Sequence, residues 1–478
     1  MYLKKSLIAV CAILALAAFT HLWNLVGFPE IFYDEGVYLR RASNVIQGLG
    51  PQEGVYYDHP YFGQLFLAGL YYITGFPSSL GTQANSDSIA NLFLVPRLFM
   101  AIIAIFDTFV VYKITQKKYG TRIALFASAF FAVMPITWIM RRILLDSILL
   151  PFFLLSILFA IYSKDDRRFV LASGACMGFA IFTKIPVFTM IPLVAYLIYV
   201  GTKDKKLIGL WLIPVLILPM IWPAYSILVG NFEQHWLHDV FWQTQRNRIG
   251  LLQVTAAFLA MDPILFILGF SGIILAVVNR DRFMLLWSGP YLIFLGLVGF
   301  VQYFHWMMML PVICIGAAQL VQKIGDRSKN PKYDTAPFLG IAMFGLVCTT
   351  LVISTNLTMT QFEAAAFSAN LVKQNPNSEI LANPVYAWAI HNTLRLSSVP
   401  KDYSVVLFGK MPSRYVLVSD PHFRRDISSG EQLPEILNST TLVKSYPDIK
   451  TRYNLMSYPY SNLNYCHDAD VIEIRTSK

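Results

Sequence analysis

The sequence predicts an all-α polytopic membrane bundle of about 11 transmembrane helices with a small C-terminal extracytoplasmic α/β domain. Three observations carry that expectation. The 478 residues are 56% hydrophobic and only 14% charged, with a mean hydropathy of +0.52, too apolar for a water-soluble chain of this length. Basic residues recur in the loops after alternate apolar runs. Beyond residue 355 the pattern changes to short β-like runs separated by polar turns.

Apolar runs long enough to cross a hydrocarbon core lie near 6–26, 93–115, 121–140, 143–162, 168–184, 186–201, 207–229, 260–279, 283–300, 303–322 and 336–355. The first follows Lys4 and Lys5, exceeds a signal-peptide core and lacks a small-residue cleavage site, so it reads as a retained span. Lys4/Lys5, Lys113/Lys117/Lys118/Arg122, Lys164/Arg167/Arg168, Lys203/Lys205/Lys206, Arg280/Arg282 and Lys323/Arg327/Lys329/Lys332 then share one face, which is 18 of the 38 basic residues. That bias places this face and the N-terminus in the cytoplasm. The run at 61–76 would invert every later loop if it crossed, so it is expected to lie in the interface.

The division that follows is a membrane domain over 1–355, with a first external loop over 27–92, and an extracytoplasmic domain over 356–478. A second external loop, 230–259, is rich in aromatic residues. In the tail, "SEILANP", "YSVVLFG", "RYVLVSD", "TTLVKSY" and "DVIEIRT" read as strands and 361–374 as a helix. Sequons at Asn356 and Asn438 fall on the outer side. From Gln361 onward 12 basic residues face 11 acidic ones, so no basic stripe for nucleic acid remains. The five cysteines, with Cys466 alone in the tail, show neither disulfide nor zinc spacing.

Eight basic residues break the topological rule by mapping to the outer half: Arg40, Arg41, Arg97, Arg141, Arg142, Lys184, Arg246 and Arg248. Charge at a hydrocarbon boundary is costly, so such exceptions mark function. Opposite them stand Asp34, Glu35, Glu53 and Asp58, with His59 and His305 also at outer ends. In "YDEGVYLRRA" the two acids suit the first turn of a helix, where the dipole favours them, and a capped helix start also fixes a general base. Arg142 and Asp146 have the spacing of a helical ion pair, a purely structural alternative to a phosphate cradle. Asp34, Asp58 and His59 are hard ligands that suit a possible divalent cation, Mg or Mn, although the cations nearby make no cofactor a requirement.

The order of "FYDEGVYLRRASNVIQG", "YYDHPYFGQLFLAGLYYITGF", "VPRLFMAIIAIFDTFVVY", "RRILLDSILLPFFLLSILFAIY", "GFAIFTKIPVF" and "YFHWMMMLPVICIGAA" resembles the GT-C fold membrane glycosyltransferases, in particular the protein O-mannosyltransferase-like and aminoarabinose-transferase-like branch. The resemblance covers about residues 1–320. It departs where Tyr61 replaces the second proline of a His-Pro-Pro element. The tail matches no β-trefoil insert, and the Trp-Trp-Asp signature of oligosaccharyltransferases is missing.

The resemblance implies transfer of mannose or a similar hexose from a polyprenyl- or dolichyl-phosphate donor to an acceptor hydroxyl on the outer face, with inversion. Asp34 would be the base and Glu35 its assistant. Lys184, Arg141, Arg142 and Arg97 would hold the donor phosphate, with His59 and His305 as hydrogen-bond donors. The implied partners are the lipid-linked sugar, a protein or glycolipid acceptor and membrane lipid. A polytopic transporter or lipid flippase is the alternative, for which Asp107, deep in a span, is the supporting residue.

Overall fold

The computed structural model describes residues 2–52, 58–229, 235–245, 250–298, 300–327, 335–396, 402, 411–428, 432–447 and 471–478. Glu53, Arg246, Arg248, Cys466, the strand-like run "YSVVLFG" and parts of the 230–259 loop lie outside these residues.

Every predicted apolar run carries a helix. In chain order the helices are α1 (Tyr2–Leu22), α2 (Tyr33–Ile46), α3 (Phe62–Thr74), α4 (Ser86–Tyr119), α5 (Thr121–Val133), α6 (Leu145–Tyr162), α7 (Arg168–Thr183), α8 (Ile191–Thr202), α9 (Lys205–Val229) and α10 (His235–Gln245). They continue with α11 (Leu251–Met261), α12 (Pro263–Val278), α13 (Arg282–Leu297), α14 (Leu310–Gly325), α15 (Ala336–Ile353) and α16 (Met359–Gln374). Short 3₁₀ turns over Pro135–Arg141, Ile185–Met190 and Tyr303–Met308 begin or end spans at one end of the bundle. Among the described residues five helices are long and apolar enough to cross alone, and two bent pairs, α5 with Pro135–Arg141 and α11 with α12, have the make-up of a broken span or a re-entrant loop. Four shorter apolar helices, α1, α7, α13 and α14, fill the remaining runs. Helix α3 has 13 residues, about 20 Å at the helical rise, shorter than the hydrocarbon core is thick.

Sequence signals set the boundaries. Asn85 caps α4 by accepting from Ser88 N at 2.8 Å, and Asp262 accepts from Leu265 N at 3.0 Å just before Pro263 opens α12. Small residues bring helices together, as they do where lipid offers no hydrophobic drive. Gly272 meets the backbone of Gly316 between α12 and α14, and Gly174 and Gly178 meet Trp211 and Pro214 between α7 and α9.

The tail adds β1 (Glu379–Leu381), α17 (Pro384–Leu394), β2 (Tyr415–Ser419), α18 (Pro421–Ser428), α19 (Gln432–Asn438), β3 (Thr440–Pro447) and β4 (Val471–Ser477). The sheet order is β1-β2-β4-β3, with β1 parallel to β2 and both other pairings antiparallel. Alternation along β2 divides its side chains. Tyr415 and Leu417 join Leu381, Phe423 and Ile436 in a small core, while Val416 and Val418 join the core that extends into the bundle.

The buried core is therefore continuous across the 355/356 boundary read from sequence. Helix α17 lies against α2 so closely that a Cβ on Gly36 would strike the backbone of Pro384 and Val385. Arg40 bonds Asp402 at 2.8 Å, and Trp388 sits against Phe76 and Phe93. Farther from this junction, Asp107 is buried within α4, and neither carboxyl oxygen has a hydrogen-bond partner.

Candidate active site

The first turn of α2 is fixed through Glu35, its third residue. Glu35 accepts from Phe32 N at 3.1 Å, Ile143 N at 3.2 Å and Arg97 Nη2 at 3.1 Å, and the Glu35 and Arg97 side chains are both fully buried. Arg97 also donates to the carbonyls of Leu25, Pro29 and Glu30 at 3.1, 2.7 and 3.1 Å. One guanidinium thus stitches the α1–α2 connection to the start of α2. Asp34, one residue earlier, is only half-buried.

The adjacent arginines are used in the same way. Arg142 donates to the Glu30 carbonyl at 2.9 Å, pairs with the Glu30 carboxylate and lies over the Phe32 and Trp138 rings. Arg141 donates to the Trp23 carbonyl and covers Phe28. The sequence reading gave Arg97, Arg141 and Arg142 to a donor phosphate, but all three side chains are enclosed. A buried guanidinium needs acceptors for its N–H groups, and here the carbonyls of residues 23–30 and two carboxylates meet part of that need, leaving Arg97 Nε and Arg141 Nε and Nη1 without a partner among the described residues. The expected Arg142–Asp146 pair is corrected as well. Arg142 has extended backbone at the end of a 3₁₀ turn, so helical spacing does not apply across it.

Asp146, in the first turn of α6, instead accepts from Lys184 Nζ at 2.7 Å. Lys184 ends α7, lies over the Phe304 ring and stands 3.5 Å from His305 Nε2. Gln302 N donates to His305 Nδ1 at 2.8 Å, and Tyr291 donates to the His305 carbonyl at 2.9 Å. With Nδ1 accepting, the neutral ring carries its proton on Nε2, which is the nitrogen beside Lys184.

Asp58 pairs with Arg41 at 2.8 Å and stands 3.9 Å from His59 Nε2, while Gln52 donates to the His59 carbonyl at 3.1 Å. Among the described residues no three His, Cys, Asp or Glu side chains group as metal ligands, so Asp34, Asp58 and His59 do not assemble as a metal site.

The charges of Asp34, Asp58, Asp146 and Arg41 all act on Tyr38. Burial raises its phenol pKa well above the ordinary range, and the negative charges of Asp34, Asp58 and Asp146 raise it further while Arg41 opposes them. The charges of Asp34 at the start of α2 and of Asp146, the partner of Lys184, are therefore both felt by one side chain. Asp34, Lys184, His59 and His305 were named from the sequence, whereas Tyr38 and the pairing of Asp146 with Lys184 were not. Tyr38 and Asp146 were present in the motifs, but only the fold, which pairs Asp146 with Lys184 and buries Tyr38, distinguishes them.

Burial works to raise the Asp58 carboxyl, but Arg41 and His59 outweigh it and leave the pKa below the ordinary carboxylate value. A depressed folded-state pKa contributes stability above the unfolded value of about 3.9, which is lost as pH falls through the folded one. Melting of the wild type should therefore show an acid-side decline beginning at the ordinary carboxylate range, and Asp58→Asn should flatten it. Identical pH profiles for the two proteins would remove Asp58 as the cause.

Residues 58–227 match the family described as dolichyl-phosphate-mannose-protein mannosyltransferase. Over nearly its full length the structure also superposes on ArnT from Cupriavidus metallidurans, solved bound to undecaprenyl phosphate, with a TM-score of 0.61, 14% identity and coverage of 98% of this chain and 97% of that one. The chain has the GT-C fold. Another GT-C structure, the oligosaccharyltransferase AglB of Archaeoglobus fulgidus in complex with an inhibitory peptide and a dolichol-phosphate, matches with a TM-score of 0.56 and 12% identity. It covers 98% of this chain and 75% of AglB. No protein of curated function matches the sequence significantly. Within the GT-C fold, the matched segment 58–227 contains Asp146 and Lys184 but not Asp34.

Proposed function

We propose that the protein is an integral-membrane glycosyltransferase that moves mannose or a similar hexose from a polyprenyl- or dolichyl-phosphate donor to an acceptor hydroxyl at the outer membrane face. The observation that carries this reading is the buried Lys184–Asp146 pair beside His305, together with a half-buried Asp34 fixed at the start of α2 by Glu35. The mannosyltransferase profile over 58–227 and the GT-C fold support it.

In this reading Asp34 takes the proton of the acceptor hydroxyl as its oxygen bonds to the anomeric carbon. The bond from that carbon to the phosphate oxygen breaks with its electron pair leaving on the polyprenyl phosphate, and a single displacement inverts the sugar. Lys184 and the His305 Nε2–H meet the charge that develops on the leaving group, with His59 alongside. Asp146 holds Lys184 in place. Glu35, Arg97, Arg141 and Arg142 build the platform that carries the base. The positive loops support a cytoplasmic N-terminus and an external tail.

The test is the full chain in liposomes with radiolabelled polyprenyl-phosphate mannose and native membranes as acceptor source. Label is expected in membrane acceptors with release of polyprenyl phosphate, and undecaprenyl phosphate alone should raise the melting temperature. Neither movement of label nor a thermal shift would reject the reading.

A further inference from the structure

The tail does more than sit beside the transfer site. Asn383 caps α17 by accepting from Val385 N at 3.0 Å and Tyr386 N at 3.4 Å, and its Nδ2 donates to Asp420 Oδ2 at 2.6 Å. Asp420 in turn caps α18 by accepting from Phe423 N at 2.9 Å. The helix that packs on Gly36 of α2 and the turn that bears His422 therefore share one hydrogen-bonded joint. This joint sets the His422 ring 5.5 Å from Phe32 and 6.4 Å from Tyr33, the two residues immediately before Asp34. Phe32 continues the contact to Phe304 at 6.4 Å, and Phe304 lies under Lys184.

His422, Tyr33 and Asp34 are all half-buried, whereas Glu35 behind them is sealed. The tail histidine thus stands in ring contact with the two residues that lead into the base. Resting on the function proposed above, the geometry points to His422 as an acceptor-binding residue supplied by the C-terminal domain. A hydroxyl-bearing acceptor enters between the tail and the bundle, and the imidazole, which offers one donor and one acceptor nitrogen when neutral, orients its hydroxyl toward Asp34. The lipid-linked donor is held at Lys184, which connects to Phe32 through Phe304.

Two variants of the full chain separate this role from packing. His422→Ala removes the ring, and His422→Phe keeps the ring but not its nitrogens. With labelled polyprenyl-phosphate mannose and graded amounts of native membranes, both variants should need about tenfold more acceptor for half-maximal transfer, the size of effect expected for one lost hydrogen bond. Undecaprenyl phosphate should still raise their melting temperatures as it does for the wild type, and His422→Gln should recover part of the loss. Wild-type acceptor dependence in His422→Phe would overturn the proposal, as would a loss matched by an equal loss of the undecaprenyl phosphate shift. Transfer by the wild type that is abolished in Asp34→Asn but unchanged in His422→Phe would overturn this inference alone. No transfer by the wild type would overturn the function with it.

Discussion

Asp34→Asn is expected to lower sugar transfer by roughly 10²- to 10⁴-fold, the contribution of a positioned general base, while leaving the fold intact. The two effects of the change differ enough in size to be separated. The lost activity corresponds to about 3 to 5 kcal/mol on the barrier. Loss of one negative charge from the first turn of α2 costs only about 0.3 to 1 kcal/mol through the helix dipole. Because Asp34 is half-buried and Glu35 makes the bonds that hold the turn, Asn should fit without moving α2. The measurement is transfer from labelled polyprenyl-phosphate mannose beside melting temperature and the undecaprenyl phosphate shift. Retention of a third or more of the wild-type rate would show that the base lies elsewhere. A large fall in melting temperature would show that Asp34 is a structural residue.

Much of this arrangement was legible in the sequence because it depends on local properties. An apolar run of membrane-crossing length has few alternatives to a helix, so each of the eleven runs carries one. Lys184 and His305 stood out because each lies where a span ends, and period-two alternation exposed β2, β3 and β4. Partnerships were less legible. Glu35 and Arg97 are 62 residues apart and meet only when α4 passes the start of α2. The Arg142–Asp146 pairing looked local but depended on a continuous helix, which the 3₁₀ turn at Pro135–Arg141 denies. His422 carried no local signal of function at all. Its relation to Asp34 arises from a sheet whose end is tied to α17, and from a glycine at position 36 that lets α17 approach.

Arg97→Leu is expected to be the most damaging of these substitutions to stability, because it leaves the Glu35 carboxylate buried without its cation. Removing one partner of a buried pair typically costs about 3 to 5 kcal/mol. No exposure discount applies, since both side chains are fully enclosed. The loss also frees the carbonyls of Leu25 and Pro29 and leaves that of Glu30 to Arg142 alone, so the α1–α2 connection should loosen together with the helix start. Glu35→Gln should be milder, for two reasons. A glutamine can still accept from Phe32 N, and Arg97 keeps its three carbonyls. Adding Glu35→Gln to Arg97→Leu should therefore recover part of the melting temperature, because the stranded charge is gone. The same series decides what Arg97 does. If it held the donor phosphate, its replacement by Lys, which preserves charge but not the forked contacts, would weaken undecaprenyl phosphate binding at unchanged stability. If it is the clamp seen here, Arg97→Lys should lower the melting temperature first, and the shift produced by undecaprenyl phosphate in the folded fraction should stay the same.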